Sequence, residues 1–267
     1  MSRFLMFQVD AFTTKRFAGN PAAVVLLGER QLPDGLMQAI AAENNLSETA
    51  FVGGPEPSEE GGQTFHLRWF TPACEVDLCG HATLAAAHVL FSRRLFLGEA
   101  VVFRSRSGPL QVSRSDRGYA MDFPARPPAE CAISEELIAA LGARPVAAGQ
   151  ARDLLAVFDD PETVASLEPD FEALKRLETF AVIVTAPGED CDFVSRFFGP
   201  RVGVNEDPVT GSAHCTLAPY WAERLGRNSL HARQLSSRGG ELWCEVRGDR
   251  VVVIGQAVDY LEGTILV

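Results

Sequence analysis

Arg68-Trp69-Phe70-Thr71-Pro72-Ala73-Cys74-Glu75-Val76-Asp77-Leu78-Cys79-Gly80-His81-Ala82-Thr83 leads into the alanine-rich run Leu84-Ala85-Ala86-Ala87-His88-Val89-Leu90. Leu67 and Trp69 alternate with Arg68 and Phe70 as a strand would. Pro72 ends that strand, and Gly80 permits a tight turn. The run that follows combines high helix propensity with few polar atoms, which predicts a buried helix. Its first backbone N–H groups, at Gly80, His81 and Ala82, would be helix-start donors for an anion or a developing negative charge.

A second such turn lies in Asn205-Glu206-Asp207-Pro208-Val209-Thr210-Gly211-Ser212-Ala213-His214-Cys215-Thr216-Leu217-Ala218. Gly211, Ala213 and Ala218 follow Gly80, Ala82 and Ala87 by 131 positions. A rival offset of 133 aligns His81 with His214 and Thr83-Leu84-Ala85 with Thr216-Leu217-Ala218. Longer range favours the first, since Ser105 and Gly108 stand 131 positions before Ser236 and Gly239. Glu48-Thr49 is echoed by Glu178-Thr179 at 130. The common spacing predicts two similar halves.

The length of 267 residues suits one large domain or two of about 130. An apolar fraction of 46% with 22% charged residues is that of a globular chain with a core. The net charge of −11 argues against nucleic acid or an anionic membrane as partner. The N-terminus turns polar too early for a secretory signal, and no apolar run approaches the roughly 18 residues of a membrane helix. Six scattered cysteines without a Cys-x-x-Cys read as reduced thiols of a cytoplasmic protein.

Along the chain, residues 3–9 and 22–27 read as strands, with Gly19-Asn20-Pro21 a turn between them. Pro33-Asp34 opens a helix that carries Leu36, Met37 and Ile40 on one face and ends near Asn44-Asn45. Residues 54–63 read as a surface loop, and 100–123 as two or three strands. The prolines of 124–131 suit a linker, so the halves are placed at 1–124 and 125–267, the last strand free to pack back on the first half. Ser134 caps a helix to Leu141, one helix is expected near 161–177, and strands are expected near 153–158, 180–184 and 191–198. The expected class is α+β, each half a curled, mostly antiparallel sheet around a central helix, the two Gly turns facing each other across a cleft.

Glu48 is flanked by apolar residues, which predicts desolvation, a raised pKa and proton exchange near neutral pH. A surface capping glutamate is the plainer reading of the same residues. His81 follows the turn glycine, Asp207 precedes Gly211 by four positions, and Ser212 is the 131-offset match of His81. Ser212 lacks the Gly-x-Ser-x-Gly context of a nucleophile, and His214 reads as packing or as a support behind the site's own groups. Cys74-x4-Cys79 with His81 lacks a partner pair, so no metal is expected. Nor is there a dinucleotide or phosphate loop.

Phe17-Ala18-Gly19-Asn20-Pro21, Asn45 to Phe51, Leu67 to Pro72, Glu75 to Thr83 and Glu206 to His214 resemble the signature blocks of the PhzF-like (phenazine biosynthesis) family. The resemblance runs from about residue 7 to beyond 240. It implies the diaminopimelate epimerase-like fold, with the site between two pseudo-symmetric halves, no cofactor, a homodimer and a small-molecule carboxylate as substrate. The family's best-known activity isomerises a dihydro-hydroxyanthranilate by moving a proton between ring carbons. Carried over by position, it assigns acid/base catalysis to Glu48, beside Ser47. It makes His81, Asp207 and Ser212 the groups that hold substrate and assist the proton, and Gly80 and Gly211 backbone donors. Two alternatives stay open: an amino-acid racemase with one cysteine per half, for which Cys79 has only Thr210 as its opposite number, and a non-catalytic binding protein.

Overall fold

The Trp69 strand and the alanine-rich helix form as their sequence dictates. In a computed structural model, which describes residues 2–57 and 63–267, the strand ends at Phe70 and the helix runs Gly80–Ser92. Every residue of that helix from His81 to Phe91 except His88 is buried. A helix apolar on all sides has to lie inside a sheet, and burying Leu84, Val89, Leu90 and Phe91 stabilises it by about 1.5–3 kcal/mol each.

By its contacts the chain divides into Met1–Asp122 with Ile254–Val267, and Phe123–Val253. The first unit contains β1 (Arg3–Ala11), β2 (Asn20–Gly28), α1 (Asp34–Asn44), β3 (Glu48–Pro57), β4 (Gln63–Phe70), β5 (Glu75–Val76), α2 (Gly80–Ser92), β6 (Ala100–Ser105) and β7 (Gly108–Ser115). β8 (Gly118–Pro124) follows. β2 and β3 are parallel around α1, β3 and β4 antiparallel, β4 and β6 parallel around α2, and β6 and β7 antiparallel. Phe4, Val25, Met37, Phe51 and Phe70 close a core under α1.

The second unit repeats this order. It holds β9 (Ala129–Cys131), α3 (Glu135–Leu141), β10 (Ala147–Gln150), β11 (Leu154–Val157), α4 (Pro161–Ser166), α5 (Phe171–Arg176), β12 (Val182–Pro187) and β13 (Phe193–Phe198). Then come α6 (His214–Leu225), β14 (Ser229–Gln234), β15 (Gly240–Arg247) and β16 (Arg250–Gly255), the last two residues of which belong to the first unit. β11 and β12 are parallel, β12 and β13 antiparallel, β13 and β14 parallel around α6, and β14 and β15 antiparallel. The same four pairings in the same order are the repeat announced by the 131-residue echo. Cys79 and Thr210, 131 positions apart, are both extended N-caps of the turns that open the two helices. The Glu178-Thr179 echo has no structural counterpart, because Glu48 opens β3 whereas Glu178 and Thr179 lie ahead of β12. The last strand, β17 (Ala257–Leu266), pairs with β1.

Several expectations need correction. Asn20 and Pro21 belong to β2, and 129–131 of the expected linker form β9, paired with β10. Residues 54–57 and 63 belong to β3 and β4, and 58–62 lie outside the described residues. The helix expected at 161–177 is two short ones, since Pro169 and the capping Asp170 restart the chain. The second Gly turn opens with a 3-10 turn, Gly211–Ala213, before α6 begins. α6 also contains Pro219, which has no N–H for the carbonyl of Cys215. The Arg126 N–H, at 2.8 Å, takes that carbonyl instead.

Candidate active site

Three segments of the first unit converge on one polar group. Glu48 opens β3 beside Ala22. Asn20 opens β2 after Gly19, whose φ of +67° no side chain adopts readily and whose Cβ would stand 2.2 Å from the Ala11 carbonyl oxygen. His81 is the second residue of α2. His81 Nε2 lies 3.1 Å from Glu48 Oε2, and Nδ1 lies 3.2 Å from Asn20 Nδ2 and 3.5 Å from Cys79 Sγ. His81 and Cys79 are buried, while the Glu48 side chain keeps 16% exposure. The 3.1 Å approach does not form a hydrogen bond, and neither Nε2 nor Oε2 has a hydrogen-bond partner among the described residues. The two groups attract by charge and keep their directional capacity for a ligand.

The apolar neighbours of Glu48 predict a raised pKa, and the direction found is the opposite. Burial does push the carboxyl up, but the charge of the neighbouring His81 outweighs it and holds Glu48 below the ordinary carboxylate value. Burial disfavours the imidazolium, yet the Cys79 sulfur and the Glu48 carboxylate carry His81 well above its ordinary value. Burial chiefly pushes the Cys79 thiol to about 11, so it is neutral at physiological pH, and the charge that His81 answers is that of Glu48. An imidazolium needs an acceptor on Nδ1, which the Asn20 amide supplies when its oxygen is turned toward the ring. The correction has a simple cause: the partner that decides the pKa lies 33 residues away along the chain.

Glu48, Cys79 and His81 each bring a donor atom within 4.8 Å of the others, a three-ligand group that Cys-x4-Cys spacing did not reveal. A metal would have to displace protons from both the thiol and the imidazolium. Cys79 acts here as a neutral hydrogen-bond neighbour. Cys79→Ala is expected to keep turnover within about tenfold, the worth of one neutral hydrogen bond. A steady-state rate a hundredfold lower would make the thiol a reacting group. Ser47 is half-buried in the turn ahead of β3.

In the second unit, Asp207 and Ser212 are half-buried and Gly211 is buried. Asp207 Oδ2 accepts a hydrogen bond from the Thr210 hydroxyl at 2.5 Å. Gln234, without any motif to mark it, accepts from Thr210 N–H at 2.8 Å and donates to the Asp207 carbonyl at 2.7 Å. Arg196 grips Glu206 with both prongs of its guanidinium, at 2.7 and 3.0 Å, directly before Asp207. His214 donates from Nδ1 to the Thr210 carbonyl at 2.9 Å, and burial lowers its pKa to about 4.

That last shift has a measurable consequence. Between pH 4 and 6.5 the unfolded chain binds a proton at His214 that the folded chain refuses, so stability rises with pH across this window. The His214 contribution amounts to roughly 3 kcal/mol, from about 1.4 kcal/mol per pKa unit. Urea unfolding at pH 4.5 and 6.5 should show a slope that His214→Asn flattens by that order.

Two α+β units with the same strand order, each with a Gly turn ahead of a buried helix, are built as the diaminopimelate epimerase-like fold. A hydroxyproline epimerase from Agrobacterium vitis has this fold, with a TM-score of 0.62 at 11% identity over 98% of this chain and 92% of its own. The family model described as phenazine biosynthesis-like protein matches residues 9–263, and the chain belongs to that PhzF-like family. It is 54% identical over 259 residues to an uncharacterized isomerase of Pseudomonas aeruginosa, covering 97% of both chains. The crystal structure of a PhzF-family phenazine biosynthesis protein from Enterococcus faecalis superposes with a TM-score of 0.95 at 49% identity, covering both chains fully.

Proposed function

We propose that this chain is an isomerase that moves a proton between carbons of a small conjugated carboxylic or amino acid, using Glu48 as its one acid/base and no cofactor. The observation that carries the reading is the Glu48–His81 pair, a half-buried carboxylate held ionised by a buried imidazolium, their facing atoms without a hydrogen-bond partner among the described residues. Ionised Glu48 takes a proton from a carbon made acidic by conjugation. Once protonated, it loses its attraction to His81, so the proton is held weakly and is given back to a second carbon. The anion formed between the two steps is spread over the conjugated acid, where the helix-start N–H groups at Gly80 would stabilise it. Gly211 and Ser212 are proposed as substrate-holding groups. Asp207 is assigned to hold substrate and assist the proton.

The racemase alternative is the weaker reading. It needs a thiolate on each side of one carbon, but Cys79 stays protonated to about pH 11 and the Thr210 hydroxyl is engaged by Asp207. Incubating the protein in heavy water with dihydro-hydroxyanthranilate and a panel of conjugated acids tests the proposal. Deuterium should enter the receiving carbon of one acid with no change in its oxidation state. A panel that exchanges nowhere above the uncatalysed rate would count against it.

A further inference from the structure

We propose that Gln234 and Thr210 are positioning residues that aim the Asp207 carboxylate; the inference rests on the reading of Asp207 as part of the site. Gln234 ends β14 and is buried, 1% exposed. A buried primary amide has to place its hydrogen bonds inside the protein. Its Oε1 accepts from the Thr210 N–H, and Nε2 donates to the Asp207 carbonyl and, at 3.3 Å, to Thr210 Oγ1. The amide orientation is thereby fixed, since flipping it would set its NH2 against the Thr210 N–H.

A direction follows for the hydroxyl. With a Gln234 N–H on Thr210 Oγ1, the hydrogen of the hydroxyl turns outward, and it reaches Asp207 Oδ2 at 2.5 Å. The chain of donors runs one way, from the Gln234 amide through the Thr210 hydroxyl to the Asp207 carboxylate. Thr210 is an N-cap whose side chain makes no cap hydrogen bond. A threonine at this place ordinarily turns its oxygen to the N–H groups of the helix start. Here the hydroxyl faces back to Asp207, and the N–H groups after Gly211 are not taken by it.

The loop itself is held by other means. Asp207 N–H donates to the Phe197 carbonyl, Ser236 Oγ donates to the Pro208 carbonyl, and Glu206 is gripped by Arg196. Loss of the Thr210 hydroxyl hydrogen should therefore change the aim of the carboxylate and leave the path of the loop as it is.

The test compares Thr210→Val, Thr210→Ser, Gln234→Glu and the Thr210→Val/Gln234→Glu pair with wild type and Glu48→Gln, in heavy-water exchange of the acid the panel identifies. Thr210→Val should lower kcat by about 10–100-fold with KM within about threefold, the size of a lost hydrogen bond to a charged group. Thr210→Ser, which keeps the donor, should stay within about threefold of wild type. Gln234→Glu draws the hydroxyl to the introduced carboxylate and replaces the donor to the Asp207 carbonyl by an acceptor, so it should lose at least as much as Thr210→Val, and the pair should lose no more than Gln234→Glu alone. Thr210→Val at the wild-type rate, or Thr210→Ser falling as far as Thr210→Val, would overturn the inference. An active Glu48→Gln would instead remove the base assignment, and the serine–valine comparison would still decide the role of Thr210.

Discussion

Glu48→Gln is expected to lower turnover by about 10²–10⁴, the usual contribution of a general acid–base group, while the chain stays folded. The amide keeps the shape of the carboxylate but accepts no proton at any relevant pH. Its effect on His81 gives a readout that needs no substrate. His81 is held above its ordinary value by the Glu48 carboxylate, the neighbour that is ionised at neutral pH. With Glu48 neutralised, burial acts on His81 nearly unopposed, and its titration measured by proton NMR should move down. A rate within about tenfold of wild type would remove Glu48 from the chemistry. An unmoved His81 titration would mean that the 3.1 Å contact is not an ion pair in solution.

Arg196→Met is expected to cost about 3 kcal/mol of stability, toward the lower end of what breaking a buried ion pair costs, because Glu206 retains some access to water. Arg196 lies on β13 with 9% exposure. Besides Glu206 it donates to the carbonyls of Val164, Ala165 and Leu167 at 3.2, 3.3 and 2.7 Å, satisfying the C-terminal end of α4. Methionine fills similar space but leaves one carboxylate and three carbonyls without that donor. Adding Glu206→Gln should restore part of the loss, because the unpaired charge is then gone. Urea denaturation of the single and double variants reads both quantities. An Arg196→Met curve superposing on wild type would show that the guanidinium is not a stabilising centre of the loop.

Much of this was legible because local chemistry and tertiary outcome agree. The strand before Pro72 and the alanine run after Gly80 form a strand and a buried helix, since nothing in their surroundings opposes propensity. The repeat was readable at Cys79 and Thr210, where both helices need an extended residue before a glycine. It failed at Glu178, where a chance match stands outside the strand. The pKa of Glu48 was misread because neighbours in sequence are not neighbours in space: Leu46 and Ala50 predicted desolvation, and His81 reverses it. Gln234 left no trace at all. Its role comes from a buried amide spanning two backbone groups of a loop 24 to 27 residues earlier, a relation that no periodicity records. Pro219 opposes helix propensity inside α6, and the Arg126 N–H takes the Cys215 carbonyl that the proline cannot serve.

The central claim is that a single carboxylate, not a pair of thiols, moves the proton. It is tested most directly by following deuterium entry from heavy water into the identified acid with Glu48→Gln and Cys79→Ala side by side. Cys79→Ala should exchange within about tenfold of wild type, and Glu48→Gln at least about a hundredfold more slowly. An active glutamine variant beside an inactive alanine variant would contradict it and assign the reaction to the thiol of Cys79.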